Sequence, residues 1–337
     1  MTLIIAEAGV NHNGDLSIAK KLIDVGYEAG ADYIKFQTFK AESLAIPGLK
    51  KADYQVNQNN LTEDQFEMLR SLELPNNMYK KLLDYANENK IKIFSTSFGI
   101  DESIFLSSLN QKIFKIPSGE ITNLPYLRHI AKLSLNHIYL STGMSDLKEV
   151  IFAVDSIVDA GFPKKNITVM HCTSCYPAKA EEVNLRAMLT IKNEIGVDIG
   201  YSDHTLGSEV AIAAVAMGAS VIEKHFTLDK SQIGMDNGMA TEPDKYRKMV
   251  DSCLTAYKSM GNEHRSLTSE EEDMALKMRR SVVCKIDLQP GDLITEDKIE
   301  FKRPGTGISV DSYMDIIGKE VNKPKLKGDL IYKNDIS

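Results

Sequence analysis

The sequence is poor in cysteine, with four in 337 residues, and it has no basic stretch with interleaved aromatic residues. So few cysteines in a chain of this length do not form a disulfide framework, and we expect free thiols in a reducing compartment. The formal net charge is −7, and the Lys and Arg residues are dispersed among carboxylates. This distribution argues against nucleic acid as a partner. An anionic substrate would therefore need a local cluster of basic side chains.

The sequence also lacks a long apolar run. Its longest, Val210 to Ile222, is too short to span a bilayer. The opening TLIIAEAGV has no basic region, long apolar core or cleavage site of a secretory leader, so we expect a cytoplasmic protein without a membrane partner. With 43% hydrophobic and 26% charged residues, the chain is able to bury a large core.

Short β-branched runs alternate with amphipathic stretches from the first residues to about residue 227. Segments such as LKEVIFAVDSIVDAGF carry apolar residues at helical spacing. This order favours the α/β class and a parallel sheet closed into a (β/α)8 TIM barrel, with an open doubly wound sheet as the alternative. The first turn, AEAGVNHNGD, lacks the G-x-G-x-x-G fingerprint, which weakens that alternative. The predicted strands are Leu3–Ala8, Tyr33–Gln37, Ile91–Ser97, Lys112–Ile116, Ile138–Thr142, Ile167–Thr173, Asp198–Ser202 and Ser220–Phe226.

One connection, residues 38–90, is much longer than the others, and we predict helices in it around Thr62–Ser71 and Asn76–Asn89. Such insertions often cover a site. After residue 260 a helix-prone stretch with the capping pattern Ser269-x-x-Glu272 leads into short strands and Pro-Gly turns. We therefore expect a catalytic barrel over residues 1–262, a linker over 263–280 and a small β-rich domain over 281–337.

In a βα barrel the active site forms at the C-terminal ends of the strands, and here every such end carries polar residues. The strand period of two places the members of a pair on one face. The pairs are Lys35 with Gln37, Ser202 with His204, and Glu223 with His225.

Barrel closure makes strand eight the neighbour of strands seven and one, which would bring His204, His225 and Glu7 together. Two neutral imidazoles with a carboxylate nearby suit a divalent ion such as Mn, Fe, Co or Zn. The alternative is that both histidines are hydrogen-bonding residues of a barrel rim. The spacing leaves open whether Glu7 contacts a metal through water or acts as an acid or base.

Lys35 and Lys115 stand inside otherwise apolar strands, where an unpaired charge is costly. An anion would satisfy them, and nearby hydroxyls would complete a cradle for a phosphate or carboxylate. Two alternatives remain, namely ion pairs with a buried carboxylate such as Glu120 or Glu223, and a Schiff-base lysine. The hydroxyls belong to Thr96, Ser118, Ser141 and Ser202.

The sequence resembles the sialic acid synthases, with the related legionaminic and pseudaminic acid synthases. The resemblance is carried in family order by IAEAGVNHNG, IKFQTFKA, FKIPSGEITNLPYL, HCTSCYP, GYSDHTLG and IEKHFTLDK, and by FKRPGTGIS in the tail. It implies a TIM barrel followed by an antifreeze-like SAF domain, in a homodimer where each tail lies over the partner's barrel. It also implies condensation of phosphoenolpyruvate with an open-chain N-acylated amino sugar, with a divalent metal, usually Mn²⁺, and release of phosphate.

The resemblance assigns roles to individual positions. It makes His204 and His225 metal ligands, and Glu7 and Glu120 the acidic groups that handle water and protons. One departure is GMDNG, where Met235 and Asn237 replace the Pro and His of many relatives. The substrate-binding positions it implies are Lys35, Gln37, Thr96, Lys115, Ser118, Ser141, Tyr176, Ser202 and Asp236, with Arg303 reaching in from the partner's tail.

The acceptor sugar is the open question at this level. We expect N-acetylmannosamine and an N-acetylneuraminate-type product. The alternatives are 2,4-diacetamido-2,4,6-trideoxymannose, which would give N,N'-diacetyllegionaminate, and a non-catalytic carbohydrate-binding protein. Phosphate release that needs both sugar and metal would separate the enzymes from the binding protein.

Overall fold

The computed structural model describes residues 1–51, 64–232 and 234–337, and it consists of two compact units, Met1–Gly261 and Asn262–Ser337. The first unit holds an eight-stranded parallel sheet, which confirms the predicted barrel. Each strand begins and ends within two residues of its prediction. The strands are β1 Leu3–Gly9, β2 Tyr33–Thr38, β3 Ile93–Ser97, β4 Ile113–Ile116, β5 His137–Ser141, β6 Ile167–Cys172, β7 Asp198–Asp203 and β8 Val221–His225.

The strands hydrogen-bond in the order β3, β2, β1, β8, β7, β6, β5, β4, so β1 lies between β2 and β8 as expected. The order begins at β3 and ends at β4, and a side chain joins these two. Gln111, just before β4, accepts from the Ser95 N–H and donates to the Ser95 carbonyl, at 2.9 Å each. The Gln111 amide thus satisfies backbone groups that an adjacent strand would otherwise pair.

Two apolar layers hold the barrel together, because a parallel sheet is buried on both faces. The larger layer packs the outer face of the strands against the helices. A smaller one fills the barrel interior, with Ile5, Phe94, Tyr139, Met170 and Val221. The helices are α1 Leu16–Glu28, α2 Ala41–Leu44, α3 Gln65–Leu72, α4 Asn76–Glu88, α5 Ile100–Ser108, α6 Leu124–Ala131, α7 Leu147–Asp159, α8 Ala187–Ile195, α9 Glu209–Ala216 and α10 Pro243–Met260.

Side-chain caps set several helix starts. Asp15 accepts from the backbone N–H groups of Ser17 and Ile18 at the start of α1, and Asp146 forms a capping box with Glu149 on α7. In the long connection, α3 and α4 match the two predicted helices, although Thr62 itself lies outside the described residues. The short helix α2 was not predicted.

The second unit contains α11 (Ser269–Met278) and an antiparallel pair, β9 (Ser281–Cys284) and β10 (Ile299–Lys302). Helix α11 lies within the stretch predicted as a linker, and the Gly305 N–H donates to its Leu276 carbonyl at 2.7 Å. The predicted cap at Ser269 and Glu272 is wrong by one residue, because the capping box forms between Thr268 and Glu271. In the described part of the chain, no helix has both the length and the apolar character needed to cross a bilayer.

Candidate active site

A pocket of about 450 Å³ opens at the C-terminal ends of the barrel strands. It brings together most of the predicted site residues, from all eight strands or the loops that follow them. Those lining it are Glu7, Lys35, Gln37, Thr96, Lys115, Ser118, Ser141, Tyr176, Ser202, His204, His225 and Asp236.

Two buried lysines and two buried carboxylates form the pocket floor. Lys115 Nζ lies 2.7 Å from Glu223 Oε1, and Lys35 Nζ lies 2.7 Å from Glu7 Oε2 and 3.7 Å from Glu223 Oε2. Pairing with Glu223, one of the two alternatives for the lysines, is therefore present in the structure. The positive charges of the two lysines are therefore balanced by the two carboxylates. An anion that binds the lysines would have to compete with Glu7 and Glu223 for their ammonium groups.

The two carboxylates differ in protonation behaviour. Burial disfavours the charged form of Glu223, but Lys115 and Lys35 outweigh it and hold its pKa at about 2. Burial raises the pKa of Glu7, with Lys35 opposing and the Glu223 charge adding to the rise. Burial also works against the charge on Lys35, yet Glu223 and Glu7 raise its pKa. Neighbouring carboxylates whose pKa values move apart in this way are typical of acid and base pairs.

Hydroxyl groups surround this floor. Lys35 Nζ donates to Thr96 Oγ1 at 2.9 Å, and Ser202 Oγ donates to Glu223 Oε1 at 3.1 Å. Ser141 Oγ is buried and has no hydrogen-bond partner among the described residues. A buried hydroxyl facing the pocket without a partner fits a site that receives a polar ligand.

The backbone approaches closely at Gly143, whose N–H donates to Ser118 Oγ at 3.0 Å. A Cβ at this position would stand 2.0 Å from Ser174 Oγ and 2.7 Å from Ser118 Oγ. Only glycine fits without moving these hydroxyls, so the sequence STGM places a bare backbone segment beside Ser118 and Ser174.

The two histidines lie side by side, with ring centroids 5.5 Å apart, and Tyr176 packs 4.2 Å from the His204 ring. His204 Nδ1 donates to the Thr173 carbonyl at 2.8 Å, which fixes the orientation of its ring. Glu7 is paired in register with His225 across β1 and β8, as barrel closure predicted.

The histidines fit a metal as two protein donors. Burial, then the His204 and Lys35 charges, lower the pKa of His225 far enough to keep it neutral, and its Nδ1 is buried without a hydrogen-bond partner among the described residues. Burial opposes the charged form of His204, but Cys172 and the Thr173 carbonyl outweigh it, so the pKa of His204 is raised. In residues 1–51, 64–232 and 234–337, no three His, Cys, Asp or Glu side chains converge as a ready-made metal centre. Further ligands would have to be water or substrate.

Asp236 also lines the pocket, near Glu7. Burial raises its pKa to about 7, helped by the Glu7 charge, and its Oδ2 lies 3.5 Å from His225 Nδ1. Gln37 Nε2 donates to Glu7 Oε1 at 2.8 Å. A Cβ on Gly9 would lie 3.4–3.5 Å from polar atoms of all three side chains, so Glu7, Gln37 and Asp236 surround one point.

Two predicted residues are not among those that line the pocket. Glu120 is on the turn after β4, partly exposed, where it accepts from the Asn123 side chain at 2.5 Å. Arg303 lies in the second unit and is exposed. Their predicted roles stay predictions.

The family model described as the NeuB family matches residues 22–265, and the SAF domain model matches residues 279–337. The chain belongs to the NeuB family.

Among the relatives of this NeuB-family chain is the N,N'-diacetyllegionaminic acid synthase of Campylobacter jejuni, 44% identical over 98% of both chains. The human N-acetylneuraminate-9-phosphate synthase is 34% identical, over 94% of this chain and 88% of its own. A solved structure of the N-acetylneuraminic acid synthetase of Leptospira borgpetersenii, in complex with citrate, matches with a TM-score of 0.71 and 30% identity. That match covers 81% of this NeuB-family chain and 90% of the Leptospira chain.

Two features of the pocket were missed or undervalued at the sequence level. Glu223 was placed with His225 at a strand end, but its only assigned role was as an alternative partner for the lysines, although it bonds Lys115 and Ser202 and lies near Lys35. The apolar side of the pocket was not foreseen. Its members come from the β2–β3 connection and from loops after β3 and β8, and their hydrophobicity was the available signal.

Proposed function

We propose that this chain is a nonulosonic acid synthase that condenses phosphoenolpyruvate with an open-chain N-acylated amino sugar and water, and releases phosphate. The observation that carries the proposal is the pocket floor, where Lys35 and Lys115 lie beside hydroxyls, two histidines and a carboxylate of raised pKa. Relatives named as synthases of sialic acids support it.

In this proposal the lysines bind the phosphate and carboxylate groups of phosphoenolpyruvate. Charge-assisted hydrogen bonds from Lys35, Lys115 and the surrounding hydroxyls would hold both anionic groups. Glu223 holds the two lysine side chains in place before the substrate arrives. Ser141 Oγ, which has no hydrogen-bond partner among the described residues, would bond to the bound phosphoenolpyruvate.

The methylene carbon of phosphoenolpyruvate would attack the aldehyde carbon of the sugar, and the aldehyde oxygen would take up a proton. Water would then add to the former enol carbon, and Glu7 would accept a proton from that water. Cleavage of the bond between this carbon and the phosphate oxygen, with the hydroxyl proton of the adduct passing to the departing phosphate, releases phosphate and leaves the keto acid. Glu7 suits the step because burial raises its pKa while Gln37 and Lys35 fix its orientation.

We also propose that His204 and His225 hold a divalent metal, Mn²⁺ in the first instance, with water and substrate oxygens as further ligands. Such an ion would act as a Lewis acid toward the aldehyde oxygen. The homodimer, with Arg303 supplied by the partner's tail, is proposed on the family resemblance alone.

For the acceptor we propose 2,4-diacetamido-2,4,6-trideoxymannose, with N-acetylmannosamine as the competing candidate. Support comes from the 44% identity to a legionaminic acid synthase, against 34% to the human neuraminate-9-phosphate synthase. This preference departs from the acceptor favoured on sequence motifs alone.

The test is phosphate release from phosphoenolpyruvate, with sugar and Mn²⁺ each omitted in turn. We expect release only in the complete mixture, and loss of release in His204→Gln and His225→Gln. The exposed His264 provides the matched control, and His264→Gln should behave as wild type. Release without sugar would contradict the proposal, and full activity in both site variants would exclude a role for these histidines.

A further inference from the structure

One side of the pocket is largely apolar, with Gln65 as a polar lining residue on the same helix as Leu69, whereas its floor is charged. Five side chains line this side and pack in a single cluster over buried Val10, Met68 and Leu72. The rings of Phe39 and Phe98 meet edge to face, with centroids 5.8 Å apart. We call this surface the apolar wall, and its members are Phe39, Leu44, Leu69, Phe98 and Met235.

The apolar wall adjoins two residues that the family resemblance places among the substrate-binding positions, Gln37 and Asp236. Phe39 comes two residues after Gln37, and Met235 directly precedes Asp236. Gln37 and Asp236 meet near Gly9, beside Glu7. In the proposed function the lysines hold phosphoenolpyruvate, so the acceptor sugar would occupy the rest of the pocket, which includes Gln37, Asp236 and the wall. All members but Phe39 are only partly buried, so their surfaces remain open to a ligand.

We propose that the apolar wall receives the substituents of the acceptor and makes the enzyme prefer deoxygenated, N-acylated sugars over hydroxylated ones. This inference rests on the proposed function and concerns the same pocket. A methyl group, at C6 or on an acetamido group, would be removed from water against the wall. A hydroxymethyl group in that place would lose its bonds to water, since these five side chains offer no N–H, O–H or oxygen acceptor.

The expected ratio of kcat/KM between two sugars can be taken from the discrimination that hydrophobic pockets of other enzymes achieve. A hydrophobic site distinguishes groups that differ by a methyl or a hydroxyl by about 10–200-fold in kcat/KM. For one changed group at a partly open wall we expect the low end, about tenfold.

Three acceptors separate the contributions: N-acetylmannosamine, its 6-deoxy analogue, and 2,4-diacetamido-2,4,6-trideoxymannose. Phosphate release at saturating phosphoenolpyruvate and Mn²⁺ gives kcat/KM for each. We expect the 6-deoxy sugar to exceed N-acetylmannosamine by about tenfold, and the diacetamido sugar to exceed both. Leu69→Asn and Met235→Gln each place an amide in the wall and should lower the ratio of 6-deoxy to 6-hydroxy kcat/KM toward one.

Leu69→Met keeps the wall apolar and should retain the ratio. Leu189→Asn is the matched control, because Leu189 is exposed on α8 and lies outside the pocket. The ratio compares two sugars on one variant, so partial loss of folded protein cancels. Thermal unfolding of each variant checks that folded enzyme is present.

Two results would overturn the inference and leave the proposed function standing. One is a wild-type enzyme that turns over these sugars but favours the hydroxylated one, and the other is a ratio unchanged in both Leu69→Asn and Met235→Gln. If no acceptor supports phosphate release, the proposed function fails and the inference fails with it.

Discussion

Glu223 holds the two buried lysines of the pocket, and its removal should be costly. In Glu223→Gln the side chain keeps its shape and can still accept from Ser202, but the negative charge 2.7 Å from Lys115 Nζ and 3.7 Å from Lys35 Nζ is gone. Breaking a buried ion pair by neutralising one partner destabilises a protein by about 3–5 kcal/mol, because a buried charge is left uncompensated. For a unit of this size that corresponds to a fall in Tm of roughly 6–20 °C.

Inorganic phosphate should reverse part of this loss. The variant pocket carries one more net positive charge, so phosphate should bind it more tightly than wild type and raise its Tm more, since a ligand of the native state stabilises it by mass action. The assay is thermal unfolding with and without phosphate. The matched control is Glu182→Gln, whose exposed partner Lys179 lies 3.3 Å away, and which should change stability by less than about 1 kcal/mol.

A Glu223→Gln protein that unfolds like the Glu182→Gln control, with a phosphate response equal to that of wild type, would refute this account. The lysines would then be compensated by other groups. The anion cradle in the proposed mechanism would lose its main electrostatic support.

Three further predictions concern other residues. Burial lowers the pKa of His12 from 6.5 to about 4, so its stabilising effect is complete above pH 6.5 and is lost as the pH falls toward 4. Wild type should lose about 2 kcal/mol of unfolding free energy between about pH 7.5 and pH 5 that His12→Gln does not lose. Urea titrations at both pH values measure this free energy, and an equal loss in the two proteins would contradict the prediction. Lys224→Met leaves Asp203, 2.5 Å away, as an unpaired buried charge and should cost about 3–5 kcal/mol, whereas adding Asp203→Asn should restore part of it. Arg303→Ala should lower turnover without changing the unfolding of the barrel, and unchanged kinetics would exclude a role for Arg303 at the pocket.

Much of the barrel could be predicted because its elements follow local rules. The alternation of β-branched runs and amphipathic helices set the strand positions, and the period of two selected the inward residues at each strand end. Lys35, Ser202 and His225 were found in this way. The cap of α11 was misplaced because Thr268 and Ser269 both precede a run of glutamates, and the pattern fits either start.

Other features depend on distances that the sequence does not give. Glu223 bridges Lys35 and Lys115 only because the barrel interior brings side chains of β2, β4 and β8 within ion-pair distance. Gln111 bonds the backbone of Ser95 because barrel closure brings the segment before β4 next to β3. The apolar wall combines residues of a long connection with Met235, nearly two hundred positions away, and such contacts are set by tertiary packing.

In the proposed function, phosphoenolpyruvate and an amino sugar are joined in this pocket. Mass spectrometry of the product, with phosphate counted in the same reaction, tests that claim most directly. We predict a keto acid made of the acceptor plus the three carbons of phosphoenolpyruvate, with one phosphate released per product, and neither in Lys115→Met. Phosphate released without a new carbon skeleton, or the same product at wild-type rate from Lys115→Met, would contradict it.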